Sequence, residues 1–326
     1  MRVHMKQLVG AFAIGLLICP ISANAAEKVT LLFPSVLELP AFAAFQLAKY
    51  EGYYKDAGLD VEMLAGHGGV DAATQVGAGN VDMAEALGDA PIIVRSRGVP
   101  VRDVVVMGGG GLMTVAGRVD DGIKTLQDLK GKSMSVIAYQ DTTYYTLLGV
   151  LGTVGLKKTD VDIQALGPTG VVQLFVNHNV QACACLPEWI VTAEDAGVKM
   201  NLMPSAQYVP SLAQAIVASD KIIKERPEIV RGLVQATLKA YVQLRDTPVE
   251  AAKIYVAAVP VHKGKEEFFG RVFTYYSKFV WAGQKTTGVA DPAVFQKVQD
   301  LYYDLGVIQS KSNVDDLYTN QFVQPK

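Results

Sequence analysis

The chain spells one order of signals twice, about a hundred residues apart, and no other feature constrains its fold as much. Gly58-Leu59-Asp60-Val61 leads to Gly66, to Gly69-Val70 and then to Gly79-Asn80-Val81-Asp82. The second copy runs Gly155-Leu156, Asp160-Val161, Gly167, Gly170-Val171 and Asn179-Val180-Gln181, and is shorter by about two residues. Each copy reads as a strand, a glycine turn, a helix and another strand. A unit used twice implies two lobes of like build. Chance likeness between two βαβ units is the competing explanation.

The segments around the repeat keep the same rhythm. Val29 to Phe33 reads as a buried strand, Ala41 to Glu51 has helical spacing and stops at Gly52, and Val61 to Leu64 is a second strand. A helix from Val70, a short strand Met83 to Glu85, a helix Pro91 to Arg97 and a strand Val101 to Met107 follow. Strands that alternate with helices imply an α/β fold with mostly parallel sheets. With 50% hydrophobic residues the chain has ample material for two such cores.

The first residues point to export. Arg2 and Lys6 flank an apolar run from Leu8 to Ile18 that is too short to span a bilayer, and Ala23-Asn24-Ala25 offers the small residues a signal peptidase accepts. Cleavage is expected after Ala25, so residues 1–25 form a signal peptide and the mature protein is periplasmic. Cys19 is a poor lipid-anchor cysteine, because Ile18 precedes it and Pro20 follows. Without residues 1–25 the basic count falls from 30 to 28 against 32 acidic residues, a net of −4. A mildly acidic chain with no basic stripe excludes nucleic acid as a partner. No later apolar run is long enough for a membrane span.

Gly108-Gly109-Gly110-Gly111 follows a very apolar strand and suits a turn, a crossover or a close approach to ligand. No Gly-Lys-Ser/Thr follows, so it is not a nucleotide loop. The first crossover is placed near Gly117 to Asp120 and the return near Pro204 to Pro210. That divides the chain into lobe 1 at 26–117, lobe 2 at 118–204 and a second part of lobe 1 at 205–326. In this last part Ile229, Val230, Leu233, Val234, Leu238, Tyr241 and Val242 recur at helical spacing behind Pro227, and Phe268, Phe269, Val272, Phe273, Tyr276 and Phe279 form an aromatic stripe. Both stripes read as core.

In open α/β sheets a ligand binds beyond the carboxyl ends of the strands, where helix N-termini present free N–H groups. Six turns occupy such places. In lobe 1 they supply Ser35, Leu37 and Glu38, then Gly68 and Gly69, then Gly88 and Asp89. In lobe 2 they supply Gln140, Asp141, Thr142, Thr143 and Tyr144, then Thr169, then Glu188 and Trp189. The stretch Tyr139 to Tyr144 is the richest, with hydroxyls and an amide between aromatic rings, the composition of a small-molecule pocket. Glu38, Asp89, Asp141 and Glu188 bring carboxylates and no turn brings an arginine or lysine. A simple inorganic anion would be repelled there, and a neutral or nitrogen-bearing ligand with an aromatic or heterocyclic body fits.

Catalysis has little support. His67, His178 and His262 stand in no metal-binding spacing, and no Gly-x-Ser-x-Gly occurs. Cys183 and Cys185, one residue apart, read as small buried residues in a strand in preference to metal ligands; whether they are bridged is open. No cofactor or metal is expected.

With these residues in view, the chain resembles the periplasmic binding proteins of nitrate, sulfonate and taurine importers and the related pyrimidine-synthesis family of thiamine metabolism. The likeness is carried by Pro40-Ala41-Phe42, by Gly52-Tyr53-Tyr54-Lys55-Asp56-Ala57-Gly58-Leu59-Asp60-Val61, by Gly79-Asn80-Val81-Asp82, and by the run from Gly122 to Lys132 that opens the second lobe. The resemblance implies a type II periplasmic binding protein, two α/β lobes joined by a two-crossover hinge. It implies a monomer that holds a small-molecule solute and delivers it to an inner-membrane ABC permease. Three departures point away from a sulfonate or nitrate ligand: Gln181 where the family often has an acid, Pro187-Glu188 in place of Glu-Pro, and Gln140-Asp141 in place of a small residue. A pyrimidine-precursor synthase-like enzyme and a ligand-presenting sensor are the alternative functions.

Overall fold

The computed structural model describes residues 25–324. The expected signal segment and Cys19 lie outside them. The strands among the described residues are β1 (Glu27–Phe33), β2 (Leu59–Ala65), β3 (Met83–Leu87), β4 (Val101–Met107), β5 (Thr114–Arg118), β6 (Ser133–Val136), β7 (Asp162–Ala165), β8 (Ala182–Cys185), β9 (Met200–Pro204) and β10 (Gln214–Ser219). They form two five-stranded sheets of order β2-β1-β3-β10-β4 and β7-β6-β8-β5-β9. In the first, β1 runs parallel to β2 and β3, while β10 runs antiparallel between β3 and β4. The second repeats this plan: β6 is parallel to β7 and β8, and β5 runs antiparallel between β8 and β9.

The sequence repeat therefore falls on topological equivalents. Its two copies cover β2 and β7, the helices Gly69–Ala78 and Gly167–Val176, and the turns leading into β3 and β8. The match extends to side chains. Thr30 donates its backbone N–H and its hydroxyl to the Asp82 carboxylate at 2.8 and 2.9 Å. At the same place in the second lobe, Ser133 donates its N–H and hydroxyl to the Gln181 amide oxygen at 2.7 and 2.9 Å. Gln181 is thus half of a joint between neighbouring strands, and its departure from an acid carries no information about the ligand.

The passage between the sheets comes earlier than expected. β5 pairs with β8 and β9, so the chain crosses over at residues 108–113, through the four glycines, and not at Gly117 to Asp120. It returns through residues 205–213, which overlap the expected segment. The glycines are needed because residues 279–284 lie directly on them. A Cβ on Gly108 or Gly110 would strike the carbonyl oxygens of Val280 or Phe279, and one on Gly109 would come within 2.7 Å of the Gly283 backbone. The close approach anticipated for this run is made by the chain itself.

The helix Pro227–Asp246 buries Val230, Leu233, Val234 and Tyr241 against the first lobe, and the Tyr54 and Thr237 hydroxyls bond at 2.9 Å. One hydrophobic core fills the first lobe and continues onto the face of the second sheet that bears Cys183 and Cys185, where Phe175 of the helix Gly167–Val176 joins it. The opposite face, with Met134, Val136, Ala182 and Ala184, closes a separate core under the helix Thr142–Gly152. Cys183 and Cys185 project to the same side of β8, as residues two apart on a strand must, and are joined in a disulfide with Cα atoms 5.2 Å apart. Among the described residues no helix is long and apolar enough to cross a membrane.

Candidate functional site

The two sheets turn their carboxyl ends toward each other, and the turns that leave them meet in a cavity of about 30 Å³. Ser35, just beyond β1, and Glu85, on β3, line it from the first lobe. Asp141, Thr142 and Thr143, beyond β6, line it from the second. Phe42, Leu112 and Leu186 supply apolar wall. Every one of these polar residues is buried. A space of this size holds one or two waters, so a solute with several rings enters only when the lobes part.

Asp141 owes its position to capping. It precedes the helix Thr142–Gly152, and its carboxylate accepts the Thr143 N–H at 2.9 Å and the Thr143 hydroxyl at 2.5 Å. Across the seam, the Val70 N–H donates to the Gln140 carbonyl at 3.2 Å. The glycine turn is what permits this approach. A Cβ on Gly68, whose φ is 115°, would lie 2.5 Å from the Gln140 carbonyl oxygen, and one on Gly69 would lie 3.1 Å from the Thr142 side chain.

The electrostatics of the cavity are acidic without a counter-charge. Burial pushes the Glu85 carboxyl well above the ordinary carboxylate range, and the charge of Asp141 pushes it further. One Glu85 oxygen has no hydrogen-bond partner. Burial also raises Asp141, while bonds from Thr143 and from the Gly69 backbone pull it back down. Among the described residues no lysine or arginine lines the space. Two carboxyls from different lobes thus face one cavity with bonding capacity to spare.

Asp89 and Glu188 serve another purpose. Asp89 accepts the Tyr302 hydroxyl at 2.5 Å, and Glu188 accepts the Tyr276 hydroxyl at 2.9 Å. Burial raises each carboxyl to about 7, against the downward pull of the tyrosine bond. These two acids lock helices of the C-terminal region onto the ends of the sheets and do not line the cavity.

The remaining expected residues divide. The Glu38 side chain is exposed, and its carbonyl accepts the hydroxyl of Tyr255 and the Nε2 of His262 at 2.5 and 2.7 Å. Leu37 is half-buried and uses its carbonyl to hold Gln46. Thr169 is exposed. Gly88 continues the β3–β10 ladder with an N–H bond to the Ala213 carbonyl at 2.9 Å. Trp189 belongs to the shared core. Gln140 and Tyr144 line a separate, outer hollow. Glu85 was not foreseen as a site residue. Its signal was a single acid inside Met83-Ala84-Glu85-Ala86-Leu87, a strand otherwise wholly apolar and wholly buried.

Residues 39–251 match the family described as NMT1/THI5 like. The riboflavin-binding protein RibY of Chloroflexus aurantiacus is 22% identical over 288 residues, covering 86% of this chain and 82% of RibY. Among solved structures, the alkanesulfonate-binding protein SsuA from Xanthomonas axonopodis pv. citri, bound to MOPS, aligns with a TM-score of 0.73 at 17% identity, over 91% of this chain and 100% of SsuA. The periplasmic nitrate-binding protein NrtA from Synechocystis PCC 6803 aligns with a TM-score of 0.68 at 15% identity, over 91% of this chain and 87% of NrtA. The two-sheet architecture is that of the periplasmic binding proteins.

Proposed function

The chain belongs to the NMT1/THI5-like family, and from that premise we propose that it is the periplasmic solute-capturing component of an ABC importer. It holds a small nitrogen-bearing heterocyclic or aromatic solute by closing its two lobes, and passes that solute as a monomer to an inner-membrane permease. One observation carries the reading: polar side chains from both lobes, all buried, surround a single cavity at the carboxyl ends of both sheets. A ligand touched by both lobes favours the closed state by its differential affinity, and closure is the form a permease can tell from the open one.

The solute class follows from the charge. Glu85 and Asp141 accept hydrogen bonds, or donate one when protonated, and a heterocycle edge with N–H and C=O groups satisfies both. A sulfonate or nitrate would meet two carboxyls and no cation. The riboflavin-binding relative supports a heterocyclic solute over a small anion. The lining holds carboxyls and hydroxyls but neither histidine nor cysteine, which supports capture over catalysis.

Titration of the purified protein with riboflavin, a pyrimidine, an alkanesulfonate and nitrate, followed by intrinsic fluorescence, tests the assignment. Glu85→Gln and Asp141→Asn should each weaken binding of the preferred solute by about tenfold, the worth of one buried hydrogen bond. Unchanged affinity in both folded variants would place the solute elsewhere, and a preference for the sulfonate or nitrate would overturn the solute class.

A further inference from the structure

We propose that a second binding site lies outside the interlobe cavity, in a hollow of about 580 Å³ between the helix Thr142–Gly152 and residues 305–307, and that it takes a planar aromatic ring bearing an anionic group. The helix has two working faces. Thr142, Thr143 and Thr146 are buried toward the lobe contact, whereas Tyr144, Tyr145, Leu148 and Gly152 line the hollow. Positions three and four apart share a helix face, so one element builds both places.

The hollow is within the size range of small-molecule sites. Its wall is aromatic: Tyr139 and Tyr144 meet edge to face with ring centres 5.4 Å apart, and Tyr144 and Tyr145 at 5.6 Å. Edge-to-face packing leaves ring faces free to stack on a ligand. Tyr139 stays 46% exposed and Leu305 39% exposed, a substantial apolar surface turned to solvent. The charge is the reverse of that in the interlobe cavity. Lys157 and Lys158 line the hollow and, among the described residues, no carboxylate does. The acid nearest the two lysines in sequence, Asp160, is folded back to accept the Lys157 N–H at 2.8 Å. In a chain of net negative charge, two lysines beside three tyrosines select an aromatic anion.

The hollow is completed only when the lobes are together. Leu305, Gly306 and Val307 come from the C-terminal region, and a Cβ on Gly152 would lie 2.6 Å from the Leu305 side chain. An aromatic anion seated there therefore favours the closed form and tightens the hold on a solute in the interlobe cavity, and the reverse holds by reciprocity.

Binding of 2-naphthyl phosphate and of 2-naphthol, matched in ring and different in charge, tests the site by calorimetric titration. The phosphate should bind the native protein about tenfold tighter than the naphthol at low salt. Lys157→Glu combined with Lys158→Glu should abolish that preference, and Tyr144→Ala should weaken both probes. Equal affinity for the two probes overturns the proposal, as does a preference that survives the lysine changes.

Discussion

Asp89 and Glu188 stand at matching points of the two lobes, each where the chain leaves its lobe's third parallel-paired strand, and each accepts the hydroxyl of a buried tyrosine from a C-terminal helix. The paired arrangement makes pH a lever on the assembled molecule. Burial holds both carboxyls at about 7, where unfolded carboxyls titrate at about 4. Each group thus binds more protons folded than unfolded between those values. Its contribution is present in full below about pH 4 and is lost as the pH rises through about 7. The loss is on the order of 3 kcal/mol per group. Melting temperature followed from pH 4.5 to 8 should fall less steeply in Glu188→Gln than in the unaltered protein. Parallel curves would show that Glu188 is ionised throughout.

Closure itself is open to a steric test at the glycine turn. Gly68→Ala puts a methyl group 2.5 Å from the Gln140 carbonyl of the opposite lobe. The expected result is a solute affinity lower by at least about tenfold, because the closed state is strained. Gly79→Ala is the control. It has a similar left-handed φ of 76° at a helix end, but its Cβ meets nothing within 4 Å. It should cost about 1 kcal/mol of stability and leave affinity unchanged.

Gln181 offers a prediction of the opposite kind. Gln181→Ala strips the partner from the Ser133 N–H and hydroxyl, which should lower stability in urea by about 1–3 kcal/mol. Solute affinity should not change. A loss of affinity with unchanged stability would return Gln181 to the ligand.

The glycine crossover should tolerate no side chain. Gly110→Ala drives a methyl group into the Phe279 carbonyl, and overpacking of this kind costs about 1–3 kcal/mol. Thermal unfolding measures it, and an unshifted melting temperature would mean that residues 279–284 move aside freely.

Much of this fold was legible in the sequence because its signals are local. β4 runs from Val101 to Met107 as its apolar run indicated, and the repeat falls on equivalent elements of both sheets. The error at β5 has a physical cause. Thr114–Arg118 is buried throughout, so its residues declare a strand but not which sheet completes it, and strand pairing is a non-local choice. The lining of the candidate cavity was legible at Ser35 and at Asp141 to Thr143, where turn chemistry marks the ends of strands. It failed at Asp89 and Glu188, whose tyrosine partners lie far along the chain. It failed at Glu85 because the face of a strand toward which a lone acid points depends on its neighbours.

The antiparallel strand in each sheet has a consequence for how the chain is assembled. β5 to β9 form one unbroken segment, so the second sheet can finish as soon as Pro204 has emerged during synthesis. The first cannot. β3 and β4 stay apart until β10 arrives to sit between them, after the whole inserted lobe has passed. Vectorial folding therefore completes the later-starting lobe first and leaves β3, with Glu85 on it, as an open edge. A charged side chain such as Glu85 on that edge guards it against stray strand pairing while it waits.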